Sequence, residues 1–283
     1  MYTSLNTGAI GIKNYTLPQT IDLARQFGFD AVDFSLQEAA DLADQHGIDY
    51  VKRLFKDIRP GPCWIPINWR ESEAQWKADL EKLPKLGEFA QKIGATRTAT
   101  WIMPNSGERD FDANFAWHVE RFRPIGEALK PYGIRFGLEF IGPQTLRPAD
   151  KHPFIYTLGG MMELARAIGT GNIGLLVDAW HLYTSGGQVD DLDTITQEDI
   201  VCVHVNDAPE GLTMAEYNDH DRRLPLETGV LPLEAFMKKL AAMGYDGPVT
   251  VEPFSKRLNA LDDPQEAARI TADHLNRLWA TME

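Results

Sequence analysis

Three stretches of this chain, FGFDAVDF (27–34), YGIRFGLEF (132–140) and MGYDGPVTVE (243–252), repeat one event: an amphipathic helix stops at a glycine and a strand begins within a few residues. A chain that keeps returning through a helix to start the next strand alongside the last builds a parallel sheet with right-handed crossovers. The same rhythm runs from end to end. TGAIGI, FDAVDFSL, PCWIPIN, ATRTATWIM, IRFGLEFIG, NIGLLVDAWHL, IVCVHVND and GPVTVEPF read as strands, eight in all. Between them lie helical patterns, including about Pro18 to Phe27, EAADLADQHG closed by Gly47, one long helix from about Glu73 to Ile93, NFAWHVERFRPIGEALKPYG, MMELARAIG, PLEAFMKKLAAMG and about Pro264 to Trp279. Eight such units within 283 residues predict an α/β chain folded as a single (β/α)8 TIM barrel. No change of composition or low-complexity linker divides it, so residues 1–283 are expected to form one domain.

Alternate residues of a barrel strand point inward, and functional groups sit where a strand's C-terminal end meets the next loop. In VCVHVND, valines 201, 203 and 205 are predicted to face the helices, which sends Cys202, His204 and Asn206 inward. By the same alternation Glu139 of RFGLEF, Asp178 of IGLLVDAW and Glu252 of VTVEPF face in. Four successive strands thus each deliver one metal-competent side chain to the same barrel mouth. A lone inward acid is equally well explained by a nearby arginine; three carboxylates in register repel one another unless a cation joins them. Three carboxylates and one imidazole suit one divalent ion of intermediate hardness per chain, Mn²⁺ foremost, with Mg²⁺, Co²⁺ or Zn²⁺ compatible.

The segments GLEFIGP, LVDAWHL, VHVNDAP and VEPF resemble the motifs of the xylose-isomerase-like TIM-barrel superfamily, in particular the sugar-phosphate isomerase/epimerase branch that includes inosose isomerase and the ketose 3-epimerases. The resemblance covers nearly the whole chain and specifies a superfamily more sharply than a substrate. It implies that Glu139, Asp178, His204 and Glu252 bind one metal. It further implies that the histidine of Asp-x-x-His, here His181, contacts a substrate oxygen. The arginine that follows the seventh strand falls within DRRLPLETG, where Arg222 fits best, Arg223 is the register alternative, and Leu226 stands where the pattern has glycine. Relatives pair through their outer helices, so the resemblance implies a homodimer or tetramer.

The expected chemistry is isomerisation or epimerisation of a sugar, sugar phosphate or cyclitol. A carbonyl polarised by the metal acidifies its neighbouring C–H, and Glu139 and Glu252 exchange the proton through a cis-enediolate. A lyase or dehydratase acting on a keto-sugar, keto-inositol, 3-keto-glycoside or 3-dehydroshikimate-like substrate is the alternative within enzymes. A non-catalytic sugar-binding barrel would carry a broken ligand set. Apurinic endonuclease chemistry needs further histidines from the first four strands, which contain none.

Softer candidates lie around the same end. Arg147 and Trp101 are expected to touch substrate; Lys256 and Arg257 read as solvated charge, Trp64 and Trp180 as stacking or core residues, and Asp33 as either a site acid or a salt-bridge partner. His118 falls in a helical pattern and reads as structural. The formal charge of −13 argues against nucleic acid, which needs a basic footprint. There is no leader-like start and no apolar run of membrane-spanning length. Cys63 and Cys202 form no metal-type pair. A cytoplasmic protein with a small carbohydrate substrate, no nucleic acid and no membrane partner is expected.

Overall fold

Eight parallel strands, β1 (Tyr2–Leu5), β2 (Ala31–Ser35), β3 (Arg59–Trp64), β4 (Arg97–Ile102), β5 (Arg135–Phe140), β6 (Ile173–Asp178), β7 (Ile200–Val205) and β8 (Pro248–Val251), hydrogen-bond in the order β3-β2-β1-β8-β7-β6-β5-β4. Every strand therefore neighbours those before and after it in the chain, and contact between β3 and β4 rounds the sheet into a (β/α)8 barrel with helices outside. This computed structural model describes residues 1–282. The glycines of the three repeated joints, Gly28, Gly133 and Gly244, lie at φ 76°, 71° and 80°. That left-handed turn is costly for a residue with a Cβ, and it releases the chain from helix to strand.

The core fills the layer between sheet and helices, where Val177, Val203, Val205, Val249 and Val251 pack outward as their alternation predicts. Val201 does not. A bulge lets Leu175 pair with Ile200 and Leu176 with Cys202, leaving Val201 as the extra residue. Val201 packs with Leu176, Cys202 and Ala99 in a small interior cluster. Space for it comes from Gly137 and Gly174, whose absent Cβ atoms would otherwise press against its side chain.

The long helix expected over 73–93 is two helices, Glu73–Leu80 and Leu83–Ile93. Pro84 causes the break: it lacks an amide hydrogen and sits in the first turn of the second helix, where that donor is not needed. Strand β3 starts earlier than PCWIPIN implied and contains Pro60 and Pro62; it is tolerated there because β3 pairs in register only with β2. The helix Ile48–Leu54 and the antiparallel pair of Asn105–Ser106 with His152–Pro153 were not foreseen. Among the described residues no helix is long and apolar enough to cross a membrane.

His118 is a core residue. Its Nδ1–H donates to the Asn114 carbonyl at 2.7 Å, and its ring stacks on Phe154 and Phe122. Burial, offset in part by that hydrogen bond and reinforced by the Arg70 and Arg109 charges, lowers its pKa from 6.5 to about 4. The folded chain therefore resists a proton that the unfolded chain accepts. The contribution is complete above pH 6.5 and is lost as pH falls toward 4, by about 3 kcal/mol at most. Urea unfolding between pH 7.5 and 4.5 should show His118→Phe losing less stability on acidification than the native chain.

Candidate metal centre

Register brings the four inward residues to one level. Asp178, the last residue of β6, pairs with His204 of β7, and His204 pairs with Thr250 of β8, two residues before Glu252. Glu139 enters from β5. One donor atom from each of Glu139, Asp178, His204 and Glu252 lies within 4.8 Å of all the others. His204 Nδ1 stands 3.4 Å from Glu252 Oε2 and 3.7 Å from Glu139 Oε1. Both His204 Nδ1 and Glu139 Oε1 are buried without a hydrogen-bond partner among the described residues.

The electrostatics of the cluster are strained in one direction. Burial, together with the Glu252 charge, holds the Glu139 carboxyl well above the ordinary range. Burial alone would lower His204, yet Glu252 and Glu139 lift it to about 10; burial would raise Glu252, yet His204 and Arg222 bring it down to about 2. Four acids, including Asp219, face two cationic groups. Oriented nitrogen and oxygen donors with surplus negative charge fit a divalent cation.

Arg222 is fully buried at the back of this cluster. Its Nη1 donates to Asp178 Oδ2 at 2.9 Å and Glu252 Oε2 at 3.1 Å, its Nη2 to Asp219 Oδ1 at 2.8 Å, and Phe254 covers its face at 4.8 Å. The loop that carries it is pinned by Asp207, whose carboxylate accepts backbone N–H groups of Ala208, Thr228, Gly229 and Leu231. Leu226 adopts φ 59°, a left-handed turn that glycine makes without cost and that a side chain with a Cβ strains. Arg223 points away, donating to Asp221 and to the Arg222 carbonyl.

His181 is also buried. Its Nδ1 accepts the Gly142 N–H at 3.1 Å, and its Nε2 stands 3.2 Å from Arg222 Nη2 and 3.8–3.9 Å from the carboxylates of Glu139, Asp178 and Asp219. Burial and the Arg222 charge lower its pKa and favour the neutral ring. A Cβ on Gly142 would collide with the His181 carbonyl, so only glycine permits this approach. Asp178 does double duty: its Oδ1 caps the following helix by accepting the Trp180 N–H at 2.8 Å and also accepts from Asn206 Nδ2 at 3.0 Å.

A cavity of about 250 Å³ opens in front of the cluster, with Glu139, His204 and Glu252 on its wall. Trp64 and Trp101 stand half-exposed at its lip. Arg70 lies over the Trp101 ring at 4.4 Å and donates to the Trp101 carbonyl. Asp33 and Asn6 also line the cavity, both nearly buried. Arg147 stacks on Tyr156 and does not line it. Lys256 and Arg257 pair with Asp221 and Glu227, and Trp180 is buried with its Nε1–H on Asp219. Sequence reading missed Asp219, Asp207 and Asn6. The only signal for the first was the dense DHDRR run at 219–223.

The family model described as xylose isomerase-like TIM barrel matches residues 21–278. Inosose isomerase of Halalkalibacterium halodurans is 25% identical over 279 residues, spanning 94% of this chain and 92% of that protein. A xylose isomerase domain protein from Alicyclobacillus acidocaldarius superposes with a TM-score of 0.88 at 29% identity, over 100% of this chain and 99% of its own. The IOLI protein with a zinc atom has the same fold, with a TM-score of 0.80 at 19% identity over 100% and 99% of the two chains.

Proposed function

The chain belongs to the xylose isomerase-like TIM barrel family, and on that footing we propose that it is a divalent-metal-dependent isomerase or epimerase of a keto-sugar or inosose. The observation that carries this reading is the convergence of four donors, three of them buried and two with no hydrogen-bond partner among the described residues. Glu139, Asp178, His204 and Glu252 would hold the ion, to which we assign Mn²⁺; when bound, it polarises a substrate carbonyl and acidifies the adjacent C–H. The inosose isomerase relative and the zinc-bearing IOLI protein support the same direction.

The chain's own groups supply the rest. Glu139 and Glu252 reach the cavity from β5 and from the end of β8, on either side of His204 and Asp178. One takes the proton from carbon and the other returns it. Return to the opposite face of the same carbon inverts it; return to the neighbouring carbon exchanges aldose and ketose. His181, whose Nε2 stands among Glu139, Asp178, Asp219 and Arg222, is assigned to the oxyanion of the cis-enediolate, and Arg222 holds Asp178 and Glu252 in place. Two free, buried thiols fit a reducing, cytoplasmic compartment.

The test is incubation of the Mn²⁺-loaded protein with a panel of ketoses and inososes in D₂O. Deuterium should enter at the carbon next to the carbonyl of at least one of them. Absence of exchange with every member overturns the reading, and a new enone absorbance would replace it with elimination.

A further inference from the structure

The cavity has two poles. One is the four-residue cluster; the other, across the barrel mouth on β1 and β2, is made by Asn6 and Asp33. Leu5 pairs with Val32, so Asn6 and Asp33 follow at the same level on adjacent strands. We propose that Asp33, with Asn6 beside it, recognises a hydroxyl of the substrate remote from the reacting carbon and makes the pocket select an uncharged polyol ketone over a phosphorylated or carboxylated one. This rests on the carbohydrate reading above.

Asp33 is 5% exposed, and no Lys, Arg or His stands within ion-pair distance of it among the described residues. Its Oδ1 receives the Ser4 hydroxyl at 2.5 Å, whereas its Oδ2 has only Thr250 Oγ1 at 3.4 Å, shared with Oδ1. Acceptor capacity therefore faces the cavity. Asn6 Oδ1 is committed to the Ala9 N–H at 3.1 Å, which leaves its Nδ2 as a donor. One acceptor and one donor side by side match a hydroxyl, which donates to Asp33 and accepts from Asn6. Burial outweighs the Ser4 hydroxyl and the His204 charge and holds the Asp33 carboxyl up at about 7, so this acid opposes folding, which is the pattern of a group retained for binding. Weaker binding of anionic groups at this pole, away from His204 and the ion, follows from the same lining. It contains no Lys or Arg among the described residues, and Arg222 behind it is already shared among three carboxylates.

The experiment is titration calorimetry of the Mn²⁺-loaded protein with neutral ketohexoses and inososes, their single-deoxy analogues, and a ketohexose phosphate. Asp33→Asn should weaken the best neutral polyol by about 10- to 100-fold. One deoxy analogue should show that same loss with the native chain and no further loss with the variant. Asn6→Ala should identify the same hydroxyl, which keeps the test independent of how well Asp33→Asn folds. Equal weakening of every analogue would make Asp33 a purely structural tie between strands and overturn the inference, as would native binding of the phosphate as tight as that of the neutral sugar, or of no polyol at all. Deuterium exchange run alongside separates the two readings. Exchange without any Asp33 dependence overturns this inference alone; Asp33-dependent binding without exchange overturns the isomerase reading alone.

Discussion

Glu139→Gln and Glu252→Gln are each expected to lower turnover by about 10³-fold at saturating Mn²⁺, because an amide keeps the shape of the side chain and one oxygen donor but cannot take or return a proton. The two losses should differ in kind. If one carboxylate serves each face of the reacting carbon, each variant keeps deuterium exchange with the epimer whose C–H faces the surviving acid and loses it with the other. The asymmetry of the site favours this division, since Glu139 is enclosed at 6% exposure while Glu252 lies at the less enclosed end of β8. NMR of both epimers in D₂O, with metal content measured on the same samples, checks it. Complete loss of exchange from both epimers in either variant, with metal retained, would assign all proton transfer to one residue.

Arg222→Met is expected to destabilise the metal-free protein by about 3–5 kcal/mol, since removing one partner of a buried charge network leaves the others uncompensated. Three carboxylates depend on this guanidinium: Asp178 at 2.9 Å, Asp219 at 2.8 Å and Glu252 at 3.1 Å. For a chain of this size the melting temperature should fall by about 10 °C. Mn²⁺ should recover part of the loss, because Asp178 and Glu252 would share the ion's charge, whereas Asp219 would not. Thermal melts with and without chelator measure both parts. An equal drop in the two conditions would mean that the guanidinium and the ion site are energetically independent.

The barrel was legible because its determinants are local and periodic. A glycine at each helix end and a run of alternating residues after it state where a strand begins and which side chains face in; this placed Glu139, Asp178, His204 and Glu252 together before any coordinate. Alternation fails where a strand gains a residue. The bulge opposite Leu175 and Leu176 turned Val201 inward, and nothing in IVCVHV announces it. The helix break at Pro84 was readable from proline's missing donor, and the regular apolar spacing on both sides obscured it. Loop residues carry no period at all. Asp219 and Asp207 matter because the chain folds back to set one on Arg222 and the other under the 228–231 turn, contacts that no spacing rule contains. Asn6 and Asp33 became a pair only when β1 and β2 were seen side by side.

Glu139, Asp178, His204 and Glu252 are proposed to hold a divalent ion. Elemental analysis of the protein purified without chelators, beside His204→Ala, tests it most directly. About one divalent ion per native chain is expected, lost in the variant while the fold is kept. A native chain that takes up no ion even after dialysis against Mn²⁺ would contradict it, leaving the four residues as a buried polar cluster held together by Arg222.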